Sequence, residues 1–193
     1  DKTKLQRLRL SSIDCVEVDE NFNEVLKDQR VMPHLHLSIQ SGDDMILKRM
    51  KRRHNSKDVF QFVDRCKKIR KDISFGADII AGFPTETDTM FENTYKLLRE
   101  NEISHLHIFP FSPKNNTPAS RMPQVSKSII KKRAKILRDL GELILKKVKS
   151  KLSLPREILI EELNSGLAIG YDQNYIKHKV PLVGVPVGEV IRV

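Results

Sequence analysis

The chain has 193 residues, enough for one sizeable domain with a small appendage. Hydrophobic residues make up 39% and charged residues 31%, a balance that fits a globular protein, and no apolar run approaches the length that spans a bilayer. The net charge of +10 points to a polyanionic partner, nucleic acid first, while two cysteines far apart, Cys15 and Cys66, form no pairing or metal motif.

In chain order, residues 7–13 alternate as a strand does, with Leu8 and Leu10 on one face and Arg7, Arg9 and Ser11 on the other. Residues 19–29 carry Phe22, Val25 and Leu26 at helical spacing. A second strand, 34–41, places Leu35, Leu37 and Ile39 on one side and His34, His36, Ser38 and Gln40 on the other. Gly42 breaks it. Asp43 or Asp44 then caps a short helix over 43–52 with Ile46, Leu47 and Met50 as its apolar side. Ser56 is expected to cap a helix over 57–71. Its stripe of Val59, Phe62, Val63, Cys66 and Ile69 makes Cys66 a packing residue rather than a reactive one.

A third strand covers 74–81 and ends in Gly82-Phe83-Pro84-Thr85-Glu86-Thr87, which opens a helix over 88–100, with Glu86 expected to cap it. The fourth strand, 105–109, sets Leu106 and Ile108 against His105, His107 and Phe109. A Pro- and Asn-containing loop then leads to a long helix over 126–150. Strand and helix alternating at this spacing predict parallel βα units. Four such strands predict an α/β fold, a partial (β/α) TIM-type barrel whose functional residues sit at the C-terminal strand ends. The polar strand faces, with Asp78 among them, would line a ligand cavity.

Residues 126–151 hold ten Lys or Arg against Asp139 and Glu142, so eight of the ten net positive charges lie in one helix. Ile130, Ala134, Leu137, Gly141, Ile144 and Val148 form its docking stripe. Lys131, Lys132 and Lys135 face outward, either toward RNA or simply toward solvent. Lys48, Arg49, Lys51, Arg52 and Arg53 form a second basic cluster, near the cavity mouth. After Pro155, strands at 157–161, 167–171, 175–180 and 189–193 predict a small all-β barrel that would offer Tyr171, Tyr175, Lys177 and Lys179 to nucleic acid. The expected division is 1–152 and 153–193.

Four stretches carry a family resemblance. They are Arg9-Leu10-Ser11-Ser12-Ile13-Asp14, His34 to Gly42 with Leu47 to Arg52, Asp78 to Thr87, and His107 to Pro113 with Thr117-Pro118-Ala119. Together they resemble the radical S-adenosylmethionine (SAM) methylthiotransferases, in the branch that modifies threonylcarbamoyladenosine in tRNA. The tail from Glu157 resembles the TRAM domain, an RNA-binding barrel of OB-like type. The resemblance implies a tRNA methylthiotransferase in which an iron–sulfur cluster cleaves SAM to a deoxyadenosyl radical, a second cluster helps deliver sulfur and another SAM supplies the methyl group.

By the same resemblance His36, Ser38, Gln40, Asp78, Ile80, Gly82 and Phe109 are the SAM-binding positions. The two basic clusters and the tail give Arg49, Arg52, Arg53, Lys131, Lys132, Lys135, Tyr175, Lys177 and Lys179 as the expected RNA-binding positions. The family's cluster cysteines are absent from this sequence, because a [4Fe-4S] cluster needs thiolates in close array and Cys15 and Cys66 do not supply one. The expectation is a C-terminal portion that is inactive alone and works in a reducing cytoplasm, away from membranes, with tRNA and an N-terminal polypeptide carrying the cysteines as its partners. Two other readings stand beside it. One is a non-catalytic RNA-binding remnant. The other is a metal-dependent barrel hydrolase using the pairs His34/His36 and His105/His107, since residues i and i+2 of a strand share a face. No catalytic residue and no metal ligand set is assigned.

Overall fold

The computed structural model describes residues 4–152, 155–181 and 184–193. Its first half is a parallel sheet of β1 (Leu8–Ile13), β2 (Val31–Gln40), β3 (Ser74–Ala81) and β4 (Ile103–Pro110), hydrogen-bonded in that order. The connections run through α1 (Phe22–Lys27), α2 (Asp44–Arg49), α3 (Ser56–Ile69) and α4 (Asp88–Glu100), and α5 (Lys127–Lys151) follows β4. The alternation sorts the two sheet faces. Leu35, Leu37, Ile39, Phe75, Ala77, Ile79, Ala81 and Ile108 are buried in one core with Val59, Phe62, Val63 and Cys66 of α3, Leu97 and Leu98 of α4, and Leu137 and Ile144 of α5. Burying each large side chain contributes roughly 1.5–3 kcal/mol, which fixes the strand register because a one-residue slip would turn every polar residue inward.

The helix starts are set by local acceptors. The Asp43 carboxylate accepts from the Met45 and Ile46 amides, which resolves the choice between the two aspartates. Two capping expectations change. Asn55, not Ser56, caps α3, in a reciprocal box with Asp58. Thr87, not Glu86, caps α4 by accepting from the Met90 amide, because Glu86 is held inside by Arg133.

β5 (Glu157–Asn164), β6 (Leu167–Tyr171), β7 (Lys177–Pro181) and β8 (Val190–Arg192) form a separate antiparallel sheet in the order β7-β6-β5-β8. Ile158, Ile160 and Ala168 make up its own small core. Residue 153, where a second domain was expected to begin, lies outside the described residues. Tyr175 is not on a strand: it takes a left-handed φ of +63° in the β6–β7 turn, which drives the turn against the first sheet. The neighbouring Asn174 amide donates to the carbonyls of Pro33 and Asp72, at 3.0 and 2.7 Å. The buried Asp172 carboxylate steadies the turn, accepting from the Asn174 and Ile176 amides and pairing with Arg156 at 2.6 Å.

Candidate active site

The face of the first sheet that carries no helix is built in layers, because β2, β3 and β4 run parallel and in near register. Asp78 stands opposite His107, and Ile80 opposite Phe109. Gly76 stands opposite both His36 and His105.

The lowest layer is sealed. The Tyr175 ring stacks on His34 at 5.4 Å and on Tyr171 at 4.7 Å, and the Arg9 guanidinium lies 4.7 Å from its centroid. His105 meets His34 edge-on at 4.8 Å. Burial pushes the His34 imidazolium down to about 2 and that of His105 to about 4, so both are neutral near neutral pH. His34 Nδ1 contacts Ser74 Oγ at 3.0 Å, while its Nε2 is buried without a partner, as suits a neutral ring protonated at Nδ1. Tyr175 was expected to meet RNA. It is half-buried and packs on the first sheet, one of several contacts between the two sheets alongside Asn174.

The middle layer is open. His36 Nε2 and His107 Nδ1 both approach Asp78 Oδ1, at 2.9 and 3.2 Å, and the two imidazoles lie 4.5 Å apart. A cavity of about 360 Å³ stands over them, walled by Arg9, Ser11, Ser12 and Tyr175. Gly76 makes the layer feasible. A Cβ there would sit 2.6 Å from His36 Nδ1 and 2.8 Å from the His105 carbonyl, so only glycine leaves room for the His36 ring to lean across β3.

The top layer lies at the C-terminal strand ends. Gln40, Ile80, Phe83, Arg49, Thr117 and Pro118 are among the residues lining a cavity of about 470 Å³. Gln40 ends β2 with φ of +66°, which turns the chain into the Ser41-Gly42 bend. Arg49 is anchored through its Nη1, which donates to Thr85 Oγ1 at 2.6 Å. Phe109 is 52% exposed at the end of β4. Gly82 faces the other way. With φ of +74° it gives room to α5, since a Cβ would come within 2.4 Å of Ile130. Ser38 is half-buried, and its carbonyl accepts from Arg52 Nη2 at 2.9 Å.

The basic residues divide by what holds them. Arg52 is tied to Asp14 at 2.9 Å, and Arg53 is exposed and paired with Glu17. Lys135 pairs with Asp139 along α5 at 2.6 Å. Lys131, Lys132, Lys177 and Lys179 are exposed and make no ion pair among the described residues. Arg133 departs from the expectation of an outward basic face, being buried with Nη1 on Glu86 Oε1 at 2.7 Å and Nη2 on Asp88 at 2.6 Å. Its place was legible. It falls three residues after Ile130 and four before Leu137, on the docking stripe itself.

The cysteines do not fit an iron–sulfur cluster. Cys15 is half-buried beside Asp14, and Cys66 sits in the core of α3. Burial pushes both thiols up to about 12, and one half-buried and one core cysteine do not make the close array of thiolates that a cluster takes as ligands. The top cavity does fit a nucleoside-sized ligand, with the polar Gln40, Arg49 and Thr117 around the apolar Ile80 and Phe83.

With layered parallel strands and a strand-end cavity in place, comparison with known proteins decides the family: residues 7–98 match the Radical SAM superfamily. Over those residues the chain belongs to that superfamily. It is 51% identical over 183 residues to a threonylcarbamoyladenosine tRNA methylthiotransferase of Rickettsia prowazekii, covering 92% of this chain and 42% of that protein. The corresponding Thermotoga maritima protein is 41% identical over 187 residues, at 95% and 43% coverage. A tRNA-2-methylthio-N(6)-dimethylallyladenosine synthase of Bartonella henselae is 35% identical over 173 residues, at 86% and 37%. The chain thus spans about two fifths of the length of these curated relatives. Among solved structures, coproporphyrinogen III oxidase from Escherichia coli superposes with a TM-score of 0.54 at 19% identity over 75% of this chain and 32% of that one, a likeness of fold alone. Among the described residues no helix is long and apolar enough to cross a membrane.

Proposed function

We propose that this chain forms the substrate-side wall of a radical SAM tRNA methylthiotransferase acting on threonylcarbamoyladenosine. The observation that carries this is the 51% identity over 183 residues to a relative bearing that name, running through every strand that builds the strand-end cavity. SAM is assigned to that cavity, with Gln40 and Ile80 in its wall and Phe109 beside it. In such enzymes SAM supplies the methyl group and the radical precursor. The chain's own part is to hold the adenosine moiety against the apolar strand ends, with Arg49 and Gln40 as polar partners. Of the remaining SAM-binding expectations, His36 and Asp78 lie one layer lower, and Gly82 acts through α5 packing.

The division at 152/153 and a TRAM-like role for the second sheet belong to the same proposal. In favour of both are the separate small core and antiparallel order of that sheet. The RNA-facing surface is assigned to Lys131 and Lys132 of α5 and to Lys177 and Lys179 of β7. The clusters are assigned to a part of the relatives' length outside this chain, consistent with one half-buried and one core cysteine here.

The tRNA part of the proposal is tested by equilibrium binding of tRNA across a salt series. Affinity should fall steeply with salt, because phosphate contacts release counterions. Lys131→Glu with Lys132→Glu should weaken binding and flatten the slope. Binding that ignores both salt and these charges would refute the assignment.

A further inference from the structure

We infer that His36, Asp78 and His107 form a binding site for a single divalent first-row metal ion, separate from the strand-end cavity. Three adjacent strands each contribute one side chain to one face, and their candidate ligand atoms all lie within 4.8 Å of one another. The spacing suits an ion. Ligands at about 2.0–2.2 Å from a metal stand roughly 3–3.5 Å from each other at tetrahedral or octahedral angles, and the two imidazole nitrogens stand 2.9 and 3.2 Å from Asp78 Oδ1. Two imidazoles and one carboxylate also match the donor preference of zinc, iron and cobalt in their divalent states.

Three further observations favour a site over a plain hydrogen-bonded trio. The group opens onto a cavity of about 360 Å³, leaving room for water or a substrate oxygen to complete the coordination shell. His107 is 58% exposed at its side chain, so an ion has a route in. Gly76 is spared a side chain at the one place where a Cβ would push the His36 ring off Asp78. The other candidate trio, Asp14, Cys15 and His54, is less suited, because Asp14 is already engaged by the Arg52 guanidinium at 2.9 Å.

The test needs neither SAM nor tRNA, so its failure is independent of the proposed function. The 193-residue chain, stripped with chelator, is titrated with Co²⁺ followed by its visible ligand-field bands, and with Zn²⁺ by calorimetry. One equivalent is expected to bind at micromolar concentration, and Zn²⁺ should displace Co²⁺. His107→Gln, at an exposed position that leaves the core untouched, and Asp78→Asn should each weaken binding at least about tenfold, while Cys15→Ser leaves it unchanged. Circular dichroism of each variant confirms the fold. Absence of stoichiometric binding to the intact chain overturns the inference. So does binding that survives both ligand substitutions, or that is lost with Cys15→Ser.

Discussion

At the residue scale the open face is governed by what each imidazole can hydrogen-bond. His34 and His105 sit beneath Tyr175, where a charged ring would be poorly solvated, and burial holds them at about 2 and about 4. The linkage sign follows. In the unfolded chain these histidines protonate near pH 6.5, so stability is fully present above that value and declines as pH falls toward about 4, where His105 charges in the folded state. Thermal unfolding followed from pH 7.5 to about pH 4 should therefore show a falling Tm, and His105→Gln should reduce the fall. A Tm independent of pH in that window would contradict the burial of these rings. Gly76 is the second residue-scale case: Gly76→Ala overpacks His36 and the His105 carbonyl and should cost about 1–3 kcal/mol in chemical denaturation. The sequence displayed the polar row of histidines through strict alternation, because a strand's two faces can be read from spacing alone. It did not show that Asp78 joins His36 and His107, since that depends on the register of three strands far apart in the chain.

At the element scale α5 is attached by a charge as well as by a stripe. Arg133 and Glu86 have side chains only 6% and 2% exposed, and burial raises the Glu86 carboxyl while the adjacent guanidinium opposes that rise. Arg133→Met would leave Glu86 buried without its counter-charge and should destabilise the fold by about 3–5 kcal/mol; adding Glu86→Leu should recover most of that loss. Urea denaturation of the two variants measures it. Equal losses in the single and double variants would show that the pair is not the attachment. The outer end of α5 is held differently: Lys147 and Lys151 both reach Glu102, whose burial alone would raise it, yet the two hydrogen bonds hold it down at about 2. Helix and strand order, the apolar stripes and the strand-end position of the cavity were all legible, being consequences of periodicity. Caps were less so, because Asn55 and Ser56, or Glu86 and Thr87, compete locally and only the backbone geometry decides between them.

At the scale of the whole molecule the second sheet closes the lower end of the first through Asn174 and Tyr175, leaving the strand-end cavity, the cavity over His36, Asp78 and His107, and the exposed lysines of α5 and β7 accessible. Tyr175 read from sequence as an RNA contact because small β barrels often present aromatic and basic side chains to nucleic acid; its positive φ and its stacking on His34, invisible to composition, place its half-buried ring against the first sheet. The family was legible in four motifs, whereas the sheet-to-sheet docking was not, since it rests on single side chains more than a hundred residues from their partners. The central claim is that this wall serves methylthio transfer to tRNA. It is tested most directly by replacing the matching 183-residue stretch of the Rickettsia prowazekii relative with this chain, loading the hybrid with iron and sulfide, and analysing treated tRNA by mass spectrometry. The account predicts a methylthio group on threonylcarbamoyladenosine, lost when Ile80→Trp fills the strand-end cavity. A folded, cluster-loaded hybrid that leaves the nucleoside unchanged, or one indifferent to Ile80→Trp, would contradict it.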